Sequence, residues 1–460
     1  MSCRRSDSRG QVFSPSLQRF RRYLWAAAVL SAVVGAVVAV RLDGPGRATA
    51  SVRHGPAIIH RPGEHWMATW AASPQAPIAG NLSERGFADQ TVREIVDASA
   101  GGAMVRVRLS NAFGDRPLRI AAASVARQRE GAELAAGTAR ALSFDGRTSV
   151  VIGPGRAVAS DPVVLGVHPG THLAISLYLS AATGPVTQHT QARQTNWVAA
   201  GPRTLDQSGH AFFVPTQSWY LLSGVDVLAP RRDRGVVVAF GDSITDGVGS
   251  PLDADARYPN DLARRLAGLT GPTLSVVDEG IGGNRVVHAT PCCGAGAVAR
   301  FRSDVLSQPG VREVILLEGI NDIGESQSRG WLTAPHTPVS ALQIVEGYEK
   351  IIAMAHAAGV RVLGGTLTPF HGARYWTPAG EVKRQAVNSW IRTSGAFDGV
   401  IDFANVVAEP GDPEQLAPAF DSGDHLHPDA AGYRAMARAV DLATLVRDAG
   451  PLTPRPTRPR

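Results

Sequence analysis

Near residue 235 the hydrophobic patterning of this chain changes period, and that change restricts the fold more than any other feature. Beyond it come near-continuous apolar runs: Val236-Val237-Val238-Ala239-Phe240, Leu274-Ser275-Val276-Val277, Val314-Ile315-Leu316-Leu317, Val360-Arg361-Val362-Leu363 and Val400-Ile401. Strands buried on both faces read this way, because a parallel sheet is covered by helices on each side. Helical stretches fall between them, at Asp261–Leu269 and Ala341–Ala358. In the second, Ile344, Tyr348, Ile351 and Ile352 keep the i, i+4, i+7, i+8 spacing of one apolar face. Alternating β and α segments of this kind predict an α/β domain with a parallel sheet over residues 235–447.

Ahead of the change, from Trp66 to about Pro230, the runs are short and alternating. Val105-Arg106-Val107-Arg108-Leu109 and His172-Leu173-Ala174-Ile175-Ser176-Leu177-Tyr178-Leu179 put large aliphatic residues at every second position. That is the pattern of strands with one wet face. Thr91-Val92-Arg93-Glu94-Ile95-Val96 is a looser case, and turn signals such as Asn111-Ala112-Phe113-Gly114 and Asp145-Gly146 separate the runs. The expectation is a β-sandwich or jelly-roll domain over residues 64–230, preceding the α/β domain.

The formal charge of +6 suggests nucleic acid until it is located. Residues 1–22 carry six Arg and one Asp, and residues 451–460 carry three Arg, which leaves the body of the chain at −2. A polyanion-binding face is therefore not expected. Residues 1–50 read as a basic leader. Within it Tyr23–Val40 is uncharged and follows Arg19, Arg21 and Arg22. The segment is a secretory signal core or a minimal membrane tether, and its positive flank implies export to the cell surface or beyond. Cleavage near Ala48-Thr49-Ala50 and retention as an anchor both stay open at this point. The Pro/Arg-rich residues 451–460 read as a disordered tail.

Of the three Cys, Cys292 and Cys293 are adjacent, in Pro291-Cys292-Cys293-Gly294. Neighbouring Cα atoms are about 3.8 Å apart, below the usual disulfide range of about 4.4–6.8 Å. Two thiols are the expected state. Only His288 lies close enough to add a metal ligand, so no metal site is expected.

In a parallel α/β sheet the working loops lie at the carboxyl ends of the strands. Four such loops stand out: Gly241-Asp242-Ser243-Ile244-Thr245-Asp246-Gly247, Asp278-Glu279-Gly280-Ile281-Gly282-Gly283-Asn284-Arg285, Glu318-Gly319-Ile320-Asn321-Asp322, and Asp421-Ser422-Gly423-Asp424-His425-Leu426-His427-Pro428. Each alone has an ordinary reading. A Ser at a strand–helix turn is first of all a helix cap, an Asn after a strand a turn residue, and an Asp-x-x-His pair a surface loop. Together they supply a nucleophile, oxyanion donors, a base and a carboxylate on one rim.

These segments resemble the SGNH, or GDSL, hydrolase family, whose blocks are GDS, a Gly-containing second block, GxND and DxxHP. The likeness runs from Val236 to Val446. It implies a flavodoxin-like parallel-sheet hydrolase domain, with Ser243 as nucleophile and Asp424 and His427 completing a catalytic triad. The oxyanion hole would be formed by the Ser243 and Gly283 backbone N–H groups and the Asn321 side-chain amide. Asp278 stands where the family often has Asn. The N-terminal half resembles the β-rich domain that precedes this hydrolase domain in some exported actinobacterial members. His425 competes with His427 for the base role, and the family pattern favours His427. Asp246 and Asp322 are expected to bond loop backbone rather than to react.

The reaction implied is hydrolysis of a carboxylic ester through an acyl-enzyme, with no cofactor. Neither Leu252–Tyr258 nor Phe370–Thr377 reads as a long apolar lid, which points to short acyl groups such as carbohydrate acetyl esters. His371, Tyr375 and Trp376 are candidates for stacking on a sugar, though loop aromatics are more often packing. Three alternatives use the same sequence: a lipase or phospholipase, an acyltransferase, and an inert glycan-binding protein.

Overall fold

A computed structural model describes residues 64–447 apart from 231, 232, 234, 271–273 and 328. The leader with its 23–40 segment and the 451–460 tail lie outside the described residues. Among those described, no helix is long and apolar enough to cross a membrane.

The apolar runs after residue 235 become five parallel strands, here β1 (Gly235–Gly241), β2 (Leu274–Gly280), β3 (Val311–Leu317), β4 (Arg361–Gly365) and β5 (Gly399–Ile401). Their spatial order is β2-β1-β3-β4-β5, with β1 central between β2 and β3. This order places a reversal of connection between β1 and β3, the crevice where open α/β sheets carry their sites. Every residue of β1 is buried, as a strand covered on both faces must be. The helix Ala341–Ala357 starts where Ser340 and Gln343 cap each other's backbone, and it buries Ile344, Tyr348, Ile351 and Ile352 on one side. A further helix, Ala430–Ala439, begins where the Asp429 side chain accepts from Ala431 N and Gly432 N.

The N-terminal runs form two antiparallel sheets. One orders His65–Ala71, Leu222–Ala229, Gly102–Asn111 and Val163–Val167. The other has Gln90–Ala98 and Thr171–Leu179 at its centre, flanked by Asn196–Ala200 and Ala122–Glu130. Side chains from both sheets share one core, in which Val105, Val107 and Val225 of the first join Val92, Ile175 and Val125 of the second. The strand Gly102–Asn111 keeps the expected alternation, with Val105, Val107 and Leu109 buried and Arg106 and Arg108 half-buried. Thr171–Leu179 departs from it. Its expected wet face is covered, because Ala174 packs with Ile95, Ala126 and Leu134 in a second small core.

The described residues all fall in one unit, and the β-rich part is built into the α/β part. Met67, Ala68 and Ala71 belong to the same core as β1 and β3. Ser275 Oγ at the start of β2 donates to Ala68 O at 2.6 Å, and Ala68 N donates to Pro309 O at 2.9 Å.

Candidate active site

The turn after β1 decides what Ser243 can do. Asp242 has extended backbone and takes the cap of the short helix Ser243–Asp246, its carboxylate accepting from Ile244 N at 2.9 Å. The cap reading of Ser243 is therefore corrected: the preceding residue does that work, because its two-oxygen side chain already satisfies the orphan N–H. The Ser243 hydroxyl is left for another partner. That partner is His427, whose Nε2 lies 2.8 Å from Ser243 Oγ.

His427 comes from the loop ahead of Ala430–Ala439, pinned where Ser422 N donates to His427 O at 3.0 Å. Its Nδ1 sits 2.6 Å from Asp424 Oδ2, and Asp424 Oδ1 accepts from Leu426 N and His427 N at 3.0 and 2.8 Å. A carboxylate only accepts, so Nδ1 carries a proton and the Nε2 lone pair faces the Ser243 hydroxyl. Burial alone would raise the Asp424 carboxyl, but the His427 ring and the loop amides hold it well below the usual carboxylate range. His425, the rival base, is exposed and left-handed at φ 61°. Its Nδ1 meets Asp421 Oδ2 at 2.6 Å, and no hydrogen bond joins it to Ser243 among the described residues.

The second and third loops meet beside Ser243. Gly283 adopts φ 77°, and a Cβ there would lie 2.6 Å from Cys293 Sγ, so the position requires glycine twice over. Asn321 follows β3 in the helix Ile320–Gly324, and its Nδ2 donates at 3.0 Å to the carbonyl of Asn284, the neighbour of Gly283. The Asn321 carbonyl oxygen accepts from Tyr375 Oη at 3.2 Å. Burial pushes the Tyr375 phenol well above its ordinary value, so it stays a donor. With the amide so oriented, its second N–H is free for a ligand. The Ser243 and Gly283 backbone N–H groups likewise make no hydrogen bond to another described residue. These three N–H groups come from three different loops at the carboxyl ends of β1, β2 and β3.

Supporting carboxylates bond backbone as expected. Asp322 accepts from Val286 N and Val287 N at 2.7 and 3.0 Å, and Asp246 accepts from Gly282 N at 3.2 Å. Asp278 accepts from Gly280 N at 2.9 Å. Burial raises Asp322 to about 6 and both Asp242 and Asp278 to about 7.

Cys292 and Cys293 are joined in a disulfide, which corrects the expectation of two thiols. The adjacent Cα atoms at 3.8 Å do lie below the usual range. The pair closes across its own peptide in a loop held on each side, where Asn284 Nδ2 donates to Cys293 O and Ala295 O. Two other participants carried no recognisable sequence signal. Arg300, buried in the helix Ala297–Phe301, donates to Asn284 Oδ1 at 2.9 Å and Gly241 O at 2.8 Å. His189 arrives from the β-rich part and reaches Asp246 Oδ1 at 3.1 Å. Of the three loop aromatics, Tyr375 is buried against Phe370, while His371 and Trp376 lie tilted against each other with centroids 4.5 Å apart. Among the described residues no group of three or more His, Cys, Asp or Glu is placed to hold a metal ion.

Comparison with known proteins gives the following. Residues 239–435 match the family model described as GDSL-like Lipase/Acylhydrolase family. No curated protein matches the chain. Among solved structures, a carbohydrate acetylesterase family member from Sinorhizobium meliloti aligns at 19% identity, covering 46% of this chain and 98% of that one, with a TM-score of 0.36. An acetyl xylan esterase aligns at 22% identity over 46% and 99% of the two chains, TM-score 0.34. A member of the lipolytic G-D-S-L family from Veillonella parvula aligns at 21% identity over 46% and 97%, TM-score 0.34.

Proposed function

We propose, from the premise that residues 239–435 form a GDSL-like lipase/acylhydrolase domain, that this protein hydrolyses short-acyl carboxylic esters, carbohydrate acetates foremost, through a Ser243 acyl-enzyme. The observation that carries the reading is the continuous relay from Ser243 Oγ to His427 Nε2 at 2.8 Å and from His427 Nδ1 to Asp424 at 2.6 Å.

A serine hydroxyl is a weak nucleophile until a base takes its proton. As Ser243 Oγ bonds to the ester carbonyl carbon, its proton passes to His427 Nε2 and the carbonyl π electrons move to oxygen. Asp424 balances the imidazolium without taking a proton itself. The oxyanion is received by Ser243 N–H, Gly283 N–H and the Asn321 amide, and loss of one such donor commonly raises the barrier by about 3–4 kcal/mol. Collapse breaks the C–O bond to the alcohol, which leaves with the proton from His427. Water then repeats the sequence, releasing the acid and restoring Ser243. The short-acyl preference is supported by the absence of an extended apolar lid from the sequence between Leu252 and Tyr258 and between Phe370 and Thr377.

The test pairs a fluorophosphonate probe with p-nitrophenyl esters of rising chain length and an acetylated polysaccharide. Wild type is expected to label at Ser243 and to turn over acetate fastest. Ser243→Ala should lose labelling and nearly all turnover while melting as wild type does. Ordinary esterase activity in that variant would falsify the assignment. A rate that climbs with chain length points instead to lipid esters, and transfer to an added alcohol to an acyltransferase. Export by the 1–50 leader belongs to the same reading; fusing it to a reporter active only outside the cytoplasm should yield activity.

A further inference from the structure

Both ring nitrogens of His189 face oxygen acceptors, although the residue is buried and lies outside the parallel-sheet part. It sits on the two-residue strand Gln188–His189, paired with Trp219–Tyr220 in the β-rich part. Nδ1 lies 3.0 Å from the Ser73 carbonyl, and Nε2 lies 3.1 Å from Asp246 Oδ1. A carbonyl and a carboxylate only accept, so both nitrogens carry protons and the ring is an imidazolium beside a carboxylate. Burial opposes that charge, yet Asp246 and the Ser73 carbonyl hold the His189 pKa above its ordinary value. The other Asp246 oxygen accepts from Gly282 N at 3.2 Å, immediately before Gly283.

A parallel tie runs through Ser73. Its hydroxyl donates to Glu279 Oε2 at 2.6 Å and accepts from Arg300 Nη1 at 3.0 Å, while Arg300 Nε donates to Asn284 Oδ1 at 2.9 Å. Gly283 is therefore flanked on one side by a residue tied to His189 through Asp246. On the other it is flanked by a residue tied to Ser73 through Arg300. Both ties end in the β-rich part.

We propose that the β-rich part is a component of the active site, with His189 as a positioning residue that acts through Asp246 to aim the Gly283 N–H at the oxyanion. The inference rests on the esterase reading above. Without the imidazolium, the Asp246 carboxylate is left buried and unpaired, a costly state that is relieved by turning toward water. Gly282 then loses its acceptor, and the loop is free to move by a fraction of an ångström. A misplacement of about 1 Å can cost about 100-fold in rate, so a smaller one is expected to cost up to that.

The experiment compares wild type, His189→Ala and His189→Gln for kcat and KM on p-nitrophenyl acetate and for affinity toward phenylboronic acid, whose adduct with serine is tetrahedral. His189→Ala is expected to lose about 10- to 100-fold in kcat, with KM within about twofold and boronate affinity falling alongside kcat. A glutamine amide can donate to Asp246 from a similar reach, so His189→Gln should recover most of both. Melting curves identify any variant that fails to fold, in which case His189→Gln carries the comparison alone, and its boronate affinity must exceed that of a Gly283→Ala control. Folded His189→Ala with unchanged kcat and boronate affinity overturns the inference alone. So does a fall in kcat that leaves boronate affinity untouched. A wild type that neither hydrolyses the ester nor binds the boronate overturns the esterase reading and this inference with it.

Discussion

Tyr375 makes the most discriminating single substitution, because its hydroxyl is the side-chain group that, with the Asn284 carbonyl, distinguishes the two ends of the Asn321 amide. The phenol donates to Asn321 Oδ1, and the nitrogen end is thereby turned toward Asn284 O. The ring packs where a Cβ on Gly324 would come within 2.2 Å of it, so Phe fills the same volume. Tyr375→Phe removes one hydrogen bond of about 0.5–1.5 kcal/mol. The expected result is a fall in kcat of about 2- to 10-fold with KM nearly unchanged, read by steady-state kinetics on p-nitrophenyl acetate; an unaltered kcat would show that the amide needs no such guide. Sequence reading treated Tyr375 as sugar platform or packing, and its polar tip is the part it missed. Nothing in Phe370–Thr377 marks which hydroxyl will meet which amide across 54 residues of chain. Ser243 illustrates the opposite case. Its neighbour Asp242 was in plain view as an equally good cap one residue earlier, and its carboxylate is the one that accepts from Ile244 N.

The loop from Ile281 to Asn284 shows how a short segment is held by what surrounds it rather than by its own propensity. Ile281 N donates to Gly241 O, Asn284 N to Ile281 O, and Gly282 N to Asp246, which together force the left-handed backbone at Gly283. Gly283→Ala meets both the φ penalty and Cys293 Sγ at 2.6 Å. It should cost about 1–2 kcal/mol of stability, since a side chain at positive φ cannot be relieved here by movement alone. Displacing one oxyanion donor should slow turnover by about 100-fold or more, checked by thermal unfolding and kcat on the same preparation. A variant with wild-type kcat would remove Gly283 from the site. Strands β1 to β4 were legible because double burial leaves continuous apolar runs, and the capped helix at Ala341 because its period is clean; the edge strand β5 is not doubly buried, since Val400 is exposed. The wet face assigned to His172–Leu179 was not, since period-two patterning cannot reveal a second layer when the covering residues are as small as Ala126 and Ala174. The vicinal disulfide escaped for a related reason: typical distances describe separated cysteines, and adjacent ones obey different closure geometry.

A net charge near zero for the folded part says nothing about where its acids lie, and here several lie deep at the carboxyl ends of β1, β2 and β3. Asp242, Asp278, Glu279, Glu318 and Asp322 are all raised, with burial the largest cause in each. The sign follows from proton linkage. A carboxyl whose folded pKa lies above its unfolded value binds more protons when folded, so its stabilising contribution is complete below about pH 4 and is lost as pH rises through the folded value. For Asp242 that window runs from 3.8 to about 7. Stability should therefore decline across this interval through the ionisation of Asp242, Asp278 and Asp322. Asp242→Asn keeps an oxygen to cap Ile244 N but cannot ionise. Its melting temperature should fall less than that of wild type between about pH 5 and pH 8, so the two curves converge or cross as the pH rises. Parallel curves for the two proteins would mean that Asp242 is ionised throughout and that burial at the end of β1 is offset by partners such as Arg300.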